Sequence, residues 1–123
     1  LSRQITPAEE EMDRIEWNDF QKVELRVGTI VEINDFPQAR KPAYILKIDF
    51  GDQIGTKKSS AQITDLYSPE DLLGKQVLAV INFTPKQIGP VRSECLVTGF
   101  HREDRAVVLA VPDVCVPNGV RLA

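Results

Sequence analysis

Val23-Glu24-Leu25-Arg26-Val27-Gly28-Thr29-Ile30-Val31-Glu32-Ile33 is the stretch on which the fold turns. Val23, Leu25 and Val27 alternate with polar residues, and Ile30 and Ile33 resume the apolar face after an interruption at Gly28. A period of two marks a half-buried strand. A glycine inside it predicts one long, strongly bent strand.

The residues on either side extend the β pattern. After a loop held by Pro37 and Pro42, Tyr44, Leu46, Ile48 and Phe50 alternate with Lys47 and Asp49 and stop at Gly51-Asp52. Gly55-Thr56-Lys57-Lys58-Ser59-Ser60-Ala61-Gln62 follows, in the place of a third strand. It offers cations, hydroxyls and an amide with almost nothing to bury. Ser68-Pro69-Glu70-Asp71-Leu72-Leu73-Gly74 predicts a short helix, with serine as cap, proline in the first turn and glycine at the end. Val77 to Phe83 is nearly all apolar, as a strand covered on both faces would be. Thr84 to Pro90 reads as a proline-stiffened loop, and Glu94–Phe100 and Val107–Val111 complete the strands. The fold class is all-β. Five strands with a short helix between the third and fourth predict an OB-fold barrel, with a small sandwich as the competing architecture.

Ahead of the strands, Thr6-Pro7-Ala8-Glu9 reads as a capped helix start. Trp17-Asn18-Asp19-Phe20 is expected to form a second turn that anchors two aromatics on the core. So short a helix needs a surface to pack on, either its own barrel or a second subunit. The expected division is a helical extension over residues 1–18 and a barrel domain with its C-terminal extension over 19–123.

Composition narrows the function classes. A chain of 123 residues fits one domain, and 42% hydrophobic with 27% charged residues is the balance of a soluble globular protein. No apolar run is long enough for a membrane span, and Leu1 to Pro7 lacks the apolar core of a secretory signal, so a cytoplasmic protein is expected. Cys95 and Cys115 lie outside any CxxC, and only His101 could join them as a ligand. No metal or cofactor is therefore expected; with Leu96 after Cys95 and valines on both sides of Cys115, two buried thiols are expected, with a disulfide as the alternative.

Enzyme chemistry has little to stand on. His101 beside Arg102 and Glu103 has no evident partner, and Ser59-Ser60 near lysines lacks a nucleophile elbow or oxyanion loop. No phosphate loop or dinucleotide fingerprint is present. Catalytic residues are not expected.

Binding signals are stronger. The net charge of −3 opposes attachment to nucleic acid by overall charge alone. That figure hides an asymmetry: residues 1–20 carry six carboxylates against two arginines, whereas 36–64 carry five cations against two carboxylates. Arg40-Lys41, Lys57-Lys58 and Lys86-Gln87 can converge on one side of an OB barrel, with Tyr44 and Phe83 as aromatic platforms beside them. Read as bulk, the two rings belong in the core.

At this point the residues match a family. Phe20-Gln21-Lys22-Val23-Glu24-Leu25-Arg26-Val27-Gly28-Thr29-Ile30 resembles the opening strand of the tRNA-binding domain family, an OB-fold module appended to some tRNA synthetases and also found alone. Phe36 to Tyr44, Ile54 to Ile63, Asn82 to Pro90 and Val116-Pro117-Asn118-Gly119 resemble its CsaA subgroup, over about residues 18–123. The resemblance implies an OB barrel and a cytoplasmic homodimer built through the terminal extensions. It also implies a chaperone of unfolded or precursor polypeptides acting with the Sec export machinery, with tRNA as an inherited second ligand.

One departure bears on that choice. The Lys-x-Arg-Gly pattern of the tRNA-binding modules stands here as Lys86-Gln87-Ile88-Gly89, and Ser-x-Gly-Met stands as Ser93-Glu94-Cys95-Leu96. A phosphate-binding cation is lost and a carboxylate gained, which weakens RNA binding. The candidate ligand residues are Lys41, Lys57, Lys58 and Lys86 for charge and Ser59, Ser60, Gln62 and Asn82 for hydrogen bonds. Tyr44, Phe83 and Ile88 are the candidates for apolar contact, with Gln87 and Ser93 on the same loops. The expected occupant is an extended polypeptide, with RNA on nearly the same face as the alternative.

Overall fold

The computed structural model describes residues 6–123; the reading of Leu1 to Ile5 as lacking a signal core lies outside them. Two short helices, α1 (Pro7–Glu10) and α2 (Trp17–Gln21), precede β1 (Leu25–Asp35), β2 (Tyr44–Asp49) and β3 (Thr56–Ala61). Next come α3 (Pro69–Leu72), β4 (Gln76–Val80), β5 (Lys86–Ile88), β6 (Val91–Ser93), β7 (Leu96–Val97), β8 (Gly99–His101) and β9 (Val107–Leu109). Five strands form one antiparallel sheet in the order β3-β2-β1-β4-β7, and β5–β6 and β8–β9 are separate hairpins. This is the OB-like, nearly closed barrel with a short helix between its third and fourth strands. The sandwich reading is set aside.

β1 serves both sides of the barrel. Its first half pairs with β4, from Leu25 opposite Val80 to Thr29 opposite Gln76, and its second half pairs with β2 as far as Asp35 opposite Tyr44. The irregularity that bends it lies between Ile30 and Glu32, not at Gly28. Gly28 has a different task. A Cβ there would sit 2.5 Å from Ile48 Cγ2 and 2.7 Å from the Phe50 ring, so glycine is what lets the second strand's side chains fill the interior. Phe50, Ile30, Leu46, Ile48, Leu72 and Val77 are all fully buried there.

β3 corrects the expectation that residues 56–62 have nothing to bury. Ser59 is 0% exposed and Ala61 6%, while Lys58 and Gln62 are exposed and Ser60 is half-buried. The run alternates after all, with Lys57 half-buried and the small residues Ser59 and Ala61 inward. Along β4 the apolar strand stops at Val80, and Phe83 is 58% exposed. The proline-stiffened loop proves to be the hairpin β5–β6, turning at Gly89 with φ +56°. The strand expected over 94–100 is divided between β7 and β8, because Ala110 N–H bonds Thr98 C=O while Leu78 C=O accepts from Thr98 N–H.

The barrel is closed by local polar chemistry. α3 carries a capping box between Ser68 and Asp71, and the Ser68 backbone and hydroxyl hydrogen bonds hold the Asp71 carboxyl below its usual range. The tail adds to the free edge of β1 through Gly119 N–H to Val27 C=O (2.7 Å), Val27 N–H to Val120 C=O (3.0 Å) and Leu122 N–H to Leu25 C=O (2.9 Å). Asn118 fixes that tail, its Oδ1 accepting from Thr29 Oγ1 (2.8 Å) and Gln76 Nε2 (3.1 Å).

The N-terminal segment does not behave as expected. Thr6 caps α1 through its side chain as predicted, and Trp17 packs against Phe20 with ring centroids 5.4 Å apart and planes tilted by 45°. Yet α1 and α2 have no buried residue, and Trp17 is 63% exposed. Of the two rings Phe20 alone is half-buried, so the pair is not anchored on this chain's core. The cysteines divide as well: Cys95 is buried and Cys115 exposed. Burial pushes the Cys95 thiol up to about 12, with Lys57 opposing and Glu94 adding to the shift.

Two outcomes follow. Gly28→Ala should lower unfolding free energy by ~1–3 kcal/mol in urea melts, because the methyl overpacks Ile48 and Phe50; an unchanged midpoint would contradict that packing. A disulfide-exchange reagent should titrate Cys115 at once and Cys95 only on unfolding.

Candidate functional site

The third strand ends at a groove. β3 meets the segment after β5 through Lys58 N–H to Glu94 Oε1 (3.0 Å), Glu94 N–H to Lys58 C=O (2.8 Å) and Ser60 N–H to Ser93 Oγ (3.1 Å). These bonds set the β5–β6 hairpin over the outer edge of β3. Hollows open on both sides of the hairpin.

On one side, a cleft of about 660 Å³ lies between the loop after β1, the end of β3 and strand β5. Arg40, Lys41 and Lys86 stand around it, with Ser60, Gln62, Gln87 and Ile88 as further walls. A second hollow of about 500 Å³ adjoins it and shares Ser60, Lys86 and Ile88. Phe83, Thr84, Ser93, Glu94, Cys95 and Leu96 complete that hollow, and its surface is mainly apolar. Phe83 is 58% and Leu96 50% exposed, so both present ring or aliphatic surface to solvent. A third hollow of about 430 Å³ runs from Ser60 and Gln62 to Leu96, His101 and Val107, between β3 and β7. Ser60 lies at the junction of all three.

Eight of the candidate residues therefore come together: Lys41, Ser60, Gln62, Phe83, Lys86, Gln87, Ile88 and Ser93. Five do not. Tyr44 is a core residue whose hydroxyl donates to Tyr67 C=O (2.8 Å). Ser59 is wholly buried and donates to Ser60 C=O (3.2 Å), and Lys57 sits half-buried on the same inward face. Asn82 is engaged in the fold, with Oδ1 accepting from Glu24 N–H (3.0 Å) and Nδ2 donating to Lys22 C=O (2.6 Å). Lys58 faces a separate hollow of about 430 Å³ with Lys47, Glu32, Arg92 and Glu94.

The sequence reading left out Gln38, Ala39, Thr84, Leu96 and His101 as contacts, and it placed Arg40 among the converging cations without naming it a ligand residue. Arg40 had a signal in its neighbour Lys41; Leu96 and His101 reach the groove only through barrel closure, which leaves no local trace. Among the described residues no cluster of three or more His, Cys, Asp or Glu could hold a metal ion, and no helix is long and apolar enough to cross a membrane.

Comparison with known proteins agrees with this architecture. Residues 25–121 match the family described as "Putative tRNA binding domain". The chaperone CsaA of Bacillus anthracis is 45% identical, with a TM-score of 0.84 over 90% of this chain and 100% of that one. The CsaA chaperone protein of Picrophilus torridus is 51% identical, with a TM-score of 0.84 over 89% of this chain and 100% of its own. Among curated relatives, the methionine–tRNA ligase of Thermococcus kodakarensis is 35% identical over 111 residues. That match takes in 90% of this chain and only 14% of the ligase. The chain belongs to the tRNA-binding domain family, and within it to the CsaA chaperones.

Proposed function

We propose that this protein is a non-catalytic chaperone that holds unfolded or precursor polypeptides in the groove beneath the β5–β6 hairpin. The observation that carries this reading is the juxtaposition at Ser60 of exposed Phe83 and Leu96 with the cations Arg40, Lys41 and Lys86. Contiguous exposed apolar surface rimmed by polar groups marks an interaction site. A mixed surface of this kind suits loose reading of extended chains. Lys41, Lys86 and Arg40 supply charge; Ser60, Gln62, Gln87 and Ser93 supply hydrogen bonds; Phe83, Ile88 and Leu96 supply apolar contact. The export role, with Sec machinery as partner and the cytoplasm as the site of action, follows the CsaA resemblance.

A second reading, tRNA binding on the same face, is favoured by the family and by cations that make no ion pair with another described residue. Ile88 in the place of an arginine weighs against it, since each lost phosphate contact weakens binding and flattens its salt dependence. Self-association is part of the proposal. Met12, Ile15 and Trp17 at one end of the chain and Val114 and Leu122 at the other are exposed, as surfaces awaiting a second copy would be.

Binding of an unfolded precursor should survive moderate salt and weaken about tenfold in a Phe83→Ser/Leu96→Ser variant. Failure of the precursor to bind at low salt, while tRNA binds with a steep salt dependence, would establish the second reading instead. Removal of residues 1–15 should shift sedimentation from dimer towards monomer; an unaltered dimer would contradict the terminal interface.

A further inference from the structure

We infer that the groove selects segments in which an aspartate or glutamate side chain lies next to a bulky apolar residue, and discriminates against segments that are basic and apolar. The inference rests on the polypeptide reading above and specifies its ligand.

The warrant is the separation of charge within the groove. Arg40, Lys41 and Lys86 stand on the larger cleft, and no carboxylate lines it. Among the described residues the ion pairs are Lys22–Asp19, Arg26–Glu24, Arg102–Asp104 and Arg121–Glu24, so none of the three groove cations is in an ion pair with another described residue. A cluster of like charges without internal counterions is a field that an anionic group relieves. The adjoining hollow is mainly apolar; Glu94 lines it, with Oε1 accepting from the Lys58 backbone N–H, but does not line the cleft on which the three cations stand.

Adjacency turns these two surfaces into one recognition unit. Lys86 and Ile88 lie on both hollows, two positions apart on β5 with Gln87 between them. A polypeptide with its apolar side chain against Phe83, Ile88 and Leu96 therefore carries a neighbouring residue into the field of Lys86, Lys41 and Arg40. A carboxylate there is attracted and a lysine or arginine repelled. Complementary charge of this kind sets preference among partners more than total affinity. Within a precursor, acidic–apolar segments are thereby favoured over a run of basic residues followed by an apolar stretch.

The test uses end-capped, dye-labelled peptides of equal length and equal apolar content, with aspartate, asparagine or lysine beside each leucine–phenylalanine pair. Anisotropy titrations compare the full chain with a Lys41→Gln/Lys86→Gln variant. The aspartate peptide should bind about tenfold tighter than the lysine peptide at low salt, with asparagine between them. In the variant the three should converge, mainly through loss of aspartate affinity. Equal binding of all three by the unaltered protein, or an order that persists in the variant, overturns the inference while leaving polypeptide binding intact. Failure of every peptide, asparagine included, overturns the polypeptide reading itself. An asparagine peptide with a free C-terminus that matches the capped aspartate peptide would assign the cations to chain ends and overturn the side-chain preference. An oligouridylate that binds more tightly than every peptide, and is lost in the variant, would assign them to phosphate.

Discussion

Closing a five-stranded barrel requires the third strand to meet the chain that follows the fourth, and here a few hydrogen bonds do it. Lys58 and Glu94 exchange two of them and Ser60 N–H reaches Ser93 Oγ. In an antiparallel pair, backbone groups of alternate residues point to alternate edges. With Lys58 directed away from β2, the groups of Ser60 and Gln62 are directed the same way. Past the Ser93 contact, no backbone bond joins β3 to β7 among the described residues. The hollows that meet at Ser60 occupy the place where the seam stops being paired.

The interior explains why the seam has this composition. Phe50, Ile30, Leu46, Ile48, Leu72 and Val77 fill the barrel, and Gly28 lies against Ile48 and Phe50 with no room for a methyl. The fully inward positions of β3, beyond half-buried Lys57, therefore take small groups, Ser59 and Ala61. Cys95 packs beside them, its sulfur 3.8 Å from Lys58 C=O. Small inward residues bring the segment after β5 close to β3, and the outward ones, Lys58, Ser60 and Gln62, become its surface. Packing density inside the barrel and polarity at the groove are thus two consequences of one alternation.

Much of the fold was legible because apolar alternation is strong in β1, β2 and β4, and the Ser68–Gly74 signals for α3 are local. What escaped has physical causes. Lys57-Lys58-Ser59-Ser60-Ala61 alternates in burial but not in hydrophobicity, since a small hydroxyl can be buried when it donates to a neighbouring carbonyl. The β5–β6 hairpin consists of two three-residue strands around Gly89-Pro90, flanked by Pro85, and its composition is that of a loop. Phe83 reads as the end of an apolar strand, although the ladder has ended at Val80. Of the site, the cations of neighbouring loops could be gathered from OB topology. Leu96 and His101 arrive by contacts across the barrel, which no local pattern encodes.

The proposed polypeptide site lies where the seam opens, and backbone amide NMR with an unfolded polypeptide titrated into isotope-labelled protein locates it. Shift changes should concentrate on Arg40, Lys41, Ser60, Gln62, Phe83, Lys86, Ile88 and Leu96. Changes confined to the opposite side of the hairpin, at Lys47, Lys58 and Arg92, would contradict it.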